Sequence, residues 1–292
     1  MRLANEPRVG SVAGRSAHRP AAPVPASCAP EAPARRLAAV LARRPSALFV
    51  DIDGTLSALV PDPAAAVVVP RCRAALRRLV PHVDVLCVLT GRPADVAWRM
   101  VGIDRALYVG NHGLDLWRQG ELLRPAGIES HLPRVARALE QLRLELANVA
   151  DIIFEEKGIG FAIHFAAVPE RQPTILDAVQ RIAFRHELVV HVRRSHVEVR
   201  APLEGDKGTA LRSVAETHGL KGIVVMGDDE VDGTAFRAAR EHADSTEGSA
   251  LIVTVGDLMR GEADIALDRP LDAGDLLAEL ATILDATEPV AT

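Results

Sequence analysis

Ala47-Leu48-Phe49-Val50-Asp51-Ile52-Asp53-Gly54-Thr55 is the stretch on which the fold of this chain turns. The apolar run Ala47–Val50, bounded by Pro45, predicts a short buried strand. Asp51 and Asp53 emerge two residues apart at its carboxyl end, and Gly54 lets the chain change direction sharply. Ligands of open α/β sheets gather outside the carboxyl ends of the strands. Two acids delivered there by a buried strand point to a metal and an acid/base pair. An ordinary Asp-Gly turn is the plainer account of these five residues alone. Four later segments favour the chemical one.

Outward from that strand, helical spacing over residues 71–80 leads to a second buried strand over 83–89, which ends in Thr90-Gly91-Arg92-Pro93. A helix over 94–101 and a short strand over 106–109 follow, the latter ending in Gly110-Asn111-His112-Gly113. Strand and helix in alternation predict a parallel sheet. The pattern then changes. Leu132, Val135, Leu139, Leu142 and Leu146 mark one face of a long helix. Strands over 152–154 and 161–165 flank the turn signal Lys157-Gly158-Ile159-Gly160, and a helix over 174–185 precedes strands over 188–192 and 197–199. The alternating core resumes with a helix over 208–218 and a strand over 222–226 that ends in Gly227-Asp228-Asp229. A strand over 251–255 and a helix over 273–284 complete it. The expected fold is α/β: a Rossmann-like parallel-sheet core over 46–113 and 202–292, with an α+β cap domain over 114–201 inserted across its active edge.

Composition narrows the function. The chain has 292 residues, 48% hydrophobic, enough for a large core. A net charge of −5 argues against nonspecific nucleic-acid binding, which needs a basic surface. Cys28, Cys72 and Cys87 form neither a disulfide framework nor a ligand spacing, and no apolar run approaches a membrane span. A cytoplasmic monomer acting on a small molecule is expected, without nucleic-acid or membrane partners. Residues 1–45, rich in Ala, Pro and Arg, are expected to be mostly a disordered tail, with room for a short helix over 35–42. His186, His191 and His196 lack zinc spacing, and Trp98 and Trp117 are expected to pack.

Aligned by strand ends, the core offers Asp51 and Asp53, then Thr90, then Asp228 and Asp229, with Lys207 opening a helix and Asp232 one short turn later. Carboxylates, a hydroxyl and a lysine converging at one edge suit phosphoryl transfer on Mg²⁺. That cation takes hard oxygen ligands. The transferred phosphoryl needs its oxygens neutralised by metal, lysine and hydroxyl. A carboxylate nucleophile splits one hard step into two through an aspartyl phosphate.

These segments carry a resemblance. Asp51-Ile52-Asp53-Gly54-Thr55-Leu56, Leu89-Thr90-Gly91-Arg92, Lys207 and Gly227-Asp228-Asp229 with Asp232 resemble the four motifs of the haloacid-dehalogenase-like (HAD) phosphatases. Within that superfamily the chain is most similar to trehalose-6-phosphate phosphatases. That similarity rests on Phe49 to Ser57 with Pro61 and Pro63, Gly110-Asn111-His112-Gly113-Leu114, Glu155-Glu156-Lys157-Gly158 with His164, and Glu198-Val199-Arg200 before Asp206-Lys207-Gly208-Thr209. The resemblance implies that Asp51 is the nucleophile, Asp53 the general acid/base, and Thr90 and Lys207 the phosphoryl-binding groups. It implies that Asp51, Asp228 and the backbone carbonyl of Asp53 hold Mg²⁺, with Asp229 and Asp232 in support. It further implies that Gly91, Arg92, Asn111 and His112 border the substrate, and that the cap reads the sugar through Glu156, Lys157, His164, Glu198 and Arg200. Other sugar phosphates, such as sucrose 6-phosphate or a glycosyl phosphoglycerate, are the nearest alternative. A phospho-signalling receiver shares the acids, Thr and Lys, but has neither an acid/base at Asp53 nor an inserted module of this size.

Overall fold

The computed structural model describes residues 31–287. Its strands begin with β1 (Ser46–Val50), β2 (Val85–Leu89), β3 (Leu107–Gly110), β4 (Asp115–Arg118) and β5 (Glu121–Leu123). Next come β6 (Ile153–Glu156), β7 (Gly160–His164), β8 (Val189–Val192) and β9 (His196–Arg200). The last are β10 (Gly222–Gly227), β11 (Ser249–Val255) and β12 (Ile265–Leu267). The helices are α1 (Pro33–Leu41), α2 (Pro70–Leu79), α3 (Ala94–Val101) and α4 (Leu132–Glu145), followed by α5 (Gln172–Arg185), α6 (Lys207–His218), α7 (Asp232–Ser245) and α8 (Pro270–Thr287).

Two sheets result. The larger runs in the order β12-β11-β10-β1-β2-β3-β4-β5, parallel from β12 to β3 and antiparallel through β4 and β5. Every residue of β1 is buried because both faces of the strand are covered. Leu48 and Val50 join a core with α1, α2, α3 and α8, whereas Ala47 and Phe49 join one with α6 and α7. The smaller sheet runs β6-β7-β9-β8, all antiparallel. One of its faces, built from Phe161, Ile163, Val197 and Val199, packs against α4 and α5. Leu114, Ile128, Ile159 and Ala201 form a separate apolar cluster where the chain passes between the two sheets. The parallel core and the helix-backed second sheet match the expected architecture.

Two expected boundaries shift. β4 and β5 extend the large sheet, so the segment from Asp115 to Leu123 belongs with the core rather than with the cap expected from residue 114. The expected tail over 1–45 also ends early. Pro33 opens α1, and Ala34, Leu37, Val40 and Leu41 are buried along one side of it. Burying Leu37 and Leu41 fully stabilises the fold by roughly 1.5–3 kcal/mol each. The remainder of that expectation, residues 1–30, lies outside the described residues. No helix among the described residues is long and apolar enough to cross a membrane.

Candidate active site

The chain leaves β1 toward β2 and β3 on one side and returns through β10, β11 and β12 on the other. The β1/β10 boundary is therefore the switch point of the sheet, where a crevice opens at the strand ends. Asp51 follows β1, its N–H donating to Met226 O of β10 at 3.0 Å, and Asp228 follows β10. Thr90 and Asn111 follow β2 and β3 along the same edge. The strand order alone thus gathers most of the predicted chemistry.

Lys207 enters this crevice as the first residue of α6, whose start is set by a reciprocal cap. Thr209 N–H donates to Asp206 Oδ1 at 2.7 Å, and Asp206 N–H donates to Thr209 Oγ1 at 2.9 Å. The Lys207 ammonium is sealed in, 2.9 Å from Asp51 Oδ2 and 2.7 Å from Asp232 Oδ1. The other oxygen of Asp232 accepts the N–H groups of Asp228 (2.9 Å) and Asp229 (3.2 Å). Asp232 thereby ties the lysine to the Asp228 loop, with both oxygens engaged. Asp229 Oδ1 accepts the N–H groups of Val231 (2.9 Å) and Asp232 (3.2 Å), fixing the turn into α7. Gly54, at φ +78°, is the one residue type that fits beneath Asp228, since a Cβ there would collide with the Asp228 carboxylate.

Crowded acids raise one another. Burial, only partly offset by Lys207, pushes the Asp51 carboxyl up to about 7, with further repulsion from Asp232 and Asp229. Burial followed by the Asp51 charge pushes Asp228 up to about 9. Lys207 moves upward too, because its acidic neighbours outweigh its burial. Ligand oxygens of Asp51, Asp228 and Asp232 lie within 4.8 Å of one another. A hard-oxygen cluster carrying this much mutual repulsion fits a divalent cation of the Mg²⁺ type. Asp232 is bound to Lys207 and two backbone amides, and Asp51 to Lys207 and the Ile52 N–H at 2.7 Å, while Asp228 Oδ1 accepts from Thr55 Oγ1 at 3.3 Å.

Thr90 is buried, and its Oγ1 accepts the N–H of Arg92 at 3.3 Å. Arg92, expected to border the substrate, is bound to Asp53 at the same edge. Its Nε donates to Asp53 Oδ2 at 2.6 Å and its Nη2 to Asp53 Oδ1 at 2.8 Å, while Nη2 also reaches Pro63 O at 2.9 Å. Both oxygens of Asp53 are gripped in the two-pronged geometry that only a guanidinium supplies.

The second sheet turns its polar face toward this edge. Residues paired across the ladder share a face, so Glu155, Ala162, Glu198 and His191 lie together, opposite the helix-covered side. Glu198 spans to the core: its Oε2 is 3.0 Å from His112 Nε2, and its Oε1 accepts from Lys157 Nζ at 3.1 Å. Lys157 Nζ also donates to Gly91 O at 3.1 Å, and Asn111 Nδ2 donates to Lys157 O at 3.0 Å and to Asp115 Oδ2 at 2.7 Å. The His112 ring covers Gly91 so closely that a Cβ there would come within 2.6 Å of Cε1. Burial raises the Glu198 carboxyl, but the Lys157 charge and His112 outweigh it and hold the group well below the ordinary value. Arg200 lies half-buried on the same face, its pKa lowered chiefly by burial.

Glu156 does not join them. It pairs with Phe161 across the ladder, on the helix-covered face, and its carboxylate takes the Arg143 guanidinium of α4 at 2.8 Å, exposed to solvent. Glu155, which was not among the expected site residues, occupies the polar face and accepts from His164 Nε2 at 2.8 Å. Burial would raise Glu155, yet His164 and the Lys157 charge hold it below its usual value. Asp115 was also missed. It accepts the Ala94 N–H at 3.2 Å as well as the Asn111 amide, and burial pushes its carboxyl up to about 6. Its place one residue into β4 carries no signal without knowing that β4 exists.

A parallel sheet with acids at its switch point, a lysine opening the following helix and an inserted second sheet define an HAD-like phosphatase fold. The chain belongs to the Trehalose-phosphatase family, whose profile matches residues 49–268. The trehalose-phosphate phosphatase of Mycolicibacterium paratuberculosis is 34% identical over 259 residues, covering 85% of this chain and 65% of the relative. That of Mycobacterium leprae is 30% identical, covering 85% of this chain and 60% of its own length. The chain therefore spans less than two thirds of these relatives. Among solved structures, the C-terminal domain of the C. albicans trehalose-6-phosphate phosphatase shares the fold at a TM-score of 0.71 and 19% identity, covering 85% of this chain and 96% of that one. A trehalose-6-phosphate phosphatase related protein matches equally, at 0.71 and 20% identity over 83% of this chain and 100% of its own.

Proposed function

We propose that this protein is a Mg²⁺-dependent phosphatase that converts trehalose 6-phosphate to trehalose and phosphate through an aspartyl phosphate. The observation that carries the reading is the sealed Asp51–Lys207–Asp232 cluster beside Asp228, faced by the polar side of the second sheet. A carboxylate oxygen of Asp51 attacks phosphorus, and the bond from phosphorus to the sugar oxygen breaks. Asp53 gives its proton to the departing sugar oxygen. A water molecule then attacks the phosphoryl group, Asp53 takes its proton, and the Asp51–phosphoryl bond breaks to release phosphate. Lys207 and Thr90 balance charge on the phosphoryl oxygens. Asp51, Asp228 and the backbone carbonyl of Asp53 would hold Mg²⁺, which when bound supplies further neutralisation of the phosphoryl charge. Glu155, Lys157 and Glu198 face the sugar side of the crevice, and the trehalose-phosphate phosphatase names of the relatives support that sugar.

Phosphate release from a panel of sugar phosphates tests the reading. Trehalose 6-phosphate is expected to be preferred, with turnover lost on chelation and restored by Mg²⁺. Preference for sucrose 6-phosphate or a glycosyl phosphoglycerate would replace the substrate, and turnover indifferent to chelation would remove the metal.

A further inference from the structure

The second sheet is tied to the core edge by side-chain contacts that end on two adjoining loops. Lys157 Nζ donates to Gly91 O at 3.1 Å, Asn111 Nδ2 donates to Lys157 O at 3.0 Å, and Glu198 Oε2 lies 3.0 Å from His112 Nε2. The turn over 110–115 behind these contacts is an uncommon piece of backbone. Asn111 and His112 both lie in the left-handed region, at φ 48° and 59°. Their N–H groups donate to Arg92 O at 2.8 Å and to Thr90 O at 3.0 Å, so the turn also clasps the loop that carries Thr90.

Asp115 holds this turn in shape. One of its oxygens takes the Asn111 amide at 2.7 Å, and the other takes the Ala94 N–H that opens α3 at 3.2 Å. The carboxylate lies so close over Gly110 that a Cβ there would come within 2.3 Å of Oδ1. Asn111 Nδ2 therefore gives one proton to Asp115 and the other to the Lys157 carbonyl of the cap. An ionised Asp115 presents acceptors alone, matching the two donors that face it. A proton on either oxygen would set a hydroxyl against an N–H. Burial raises its pKa to about 6, against the Asn111 and Ala94 hydrogen bonds that lower it. Of the charged groups that face it, Asp95 at the start of α3 raises it further and Arg124, past β5, lowers it. His112, in the same turn, is directed to Glu198, and the cap reaches Asp115 through Asn111.

We propose that Asp115 is a positioning residue that seats the second sheet on the core through Asn111, and that it does so in its ionised form. The seat is present above about pH 6 and is lost as pH falls through that value. Its consequence for turnover rests on the sugar-phosphatase reading, whereas the seat itself does not.

Hydrogen exchange of the turn over 156–160, whose Lys157 and Ile159 N–H groups are internally bonded, tests the seat without substrate in wild type, Asp115→Asn and Asn111→Gly. The Asn amide mimics the protonated acid, and Gly keeps the left-handed backbone while removing the link. At about pH 7.5 the turn should exchange roughly tenfold faster in both variants than in wild type, the scale of one lost hydrogen bond. At about pH 5 the difference should close, because wild-type Asp115 is then protonated too. A difference of equal size at both pH values marks a packing role and overturns the proposal, as does no difference at either. Thermal melting shows which variants are folded, and Asn111→Gly decides alone if Asp115→Asn is not. In kcat/KM for trehalose 6-phosphate, each variant should lose about tenfold and the double variant no more, since one path is broken twice. Losses that multiply overturn action through Asn111. Wild type active on another sugar phosphate but not on trehalose 6-phosphate would defeat the trehalose reading alone, and the same cycle with that substrate would then decide.

Discussion

Replacing Arg92 by Met separates two accounts of that residue. A guanidinium that binds the phosphate ester would show its loss as a raised KM with kcat largely kept. The structure instead commits Arg92 to both oxygens of Asp53 at 2.6 and 2.8 Å, and to the Pro63 carbonyl at 2.9 Å. Met fills similar space but leaves Asp53 free to rotate away from the sugar oxygen that it protonates in the proposed mechanism. A positioned general acid contributes about 10²–10⁴-fold, which caps the effect. Because Asp53 survives in the variant, a loss near the lower bound is expected, about a hundredfold or ~2.7 kcal/mol of transition-state stabilisation. The loss should depend on the leaving group. In kcat/KM for p-nitrophenyl phosphate, whose phenolate departs with little need of a proton, the fall should stay within about fivefold, since acid catalysis then contributes little. Arg92→Lys should be intermediate, because a single ammonium cannot grip both oxygens. Equal losses on the two substrates, or an effect confined to KM, would refute the positioning argument.

Three further outcomes follow from particular contacts. Asp51→Asn should abolish phosphate release while the melting temperature stays near wild type, since Lys207 retains Asp232 as its partner; substantial turnover in purified variant would remove Asp51 as nucleophile. Leu37→Ala in α1 should cost about 3 kcal/mol in denaturant unfolding, because this side chain has no exposed surface and the site cannot fully collapse around the cavity; a cost under about 1 kcal/mol would show that α1 is not part of the core. His196, lowered to about 4 from 6.5, binds fewer protons folded than unfolded between those values, so its contribution to stability is full above 6.5 and is lost as pH falls toward 4. The difference in melting temperature between wild type and His196→Gln should therefore change sharply across that window, and a constant difference would place the imidazole in water.

The strands were readable where apolar residues run together between turn signals, as in Ala47–Val50 or Val224–Met226. Burial on both faces leaves no alternation to misjudge. Elements without that signal escaped notice. α7 begins at Asp232, inside a run of acids that reads as a loop, and it packs mainly small residues, Ala235, Ala238, Ala239 and Ala243. β12 has only Ile265–Leu267, too short for any period to register. α1 (Pro33–Leu41) corresponds to the short helix allowed for over 35–42, but the tail-like composition around it hid that its few large side chains are anchored in the core. At the crevice the convergence of these residues was legible because each acid, the threonine and the lysine directly adjoin an element whose end is fixed by its own sequence.

The cap resisted for a different reason, and Glu155 and Glu156 show it. Adjacent residues of a strand face opposite ways, so choosing between two consecutive glutamates is a question of parity, and an error of one residue exchanges the active side for the packed side. Motif resemblance cannot supply parity when both candidates are the same amino acid. The strand can. Phe154, two residues before Glu156, packs with the helix-facing cluster of the cap, and Glu156 must share its direction. Glu155 is thereby sent the other way, toward His164 and the crevice. An alternation argument anchored on Phe154 would have assigned the pair from sequence, and it applies again on β9, where buried Val197 and Val199 alternate with His196, Glu198 and Arg200 and so direct all three polar side chains to the face opposite the helices.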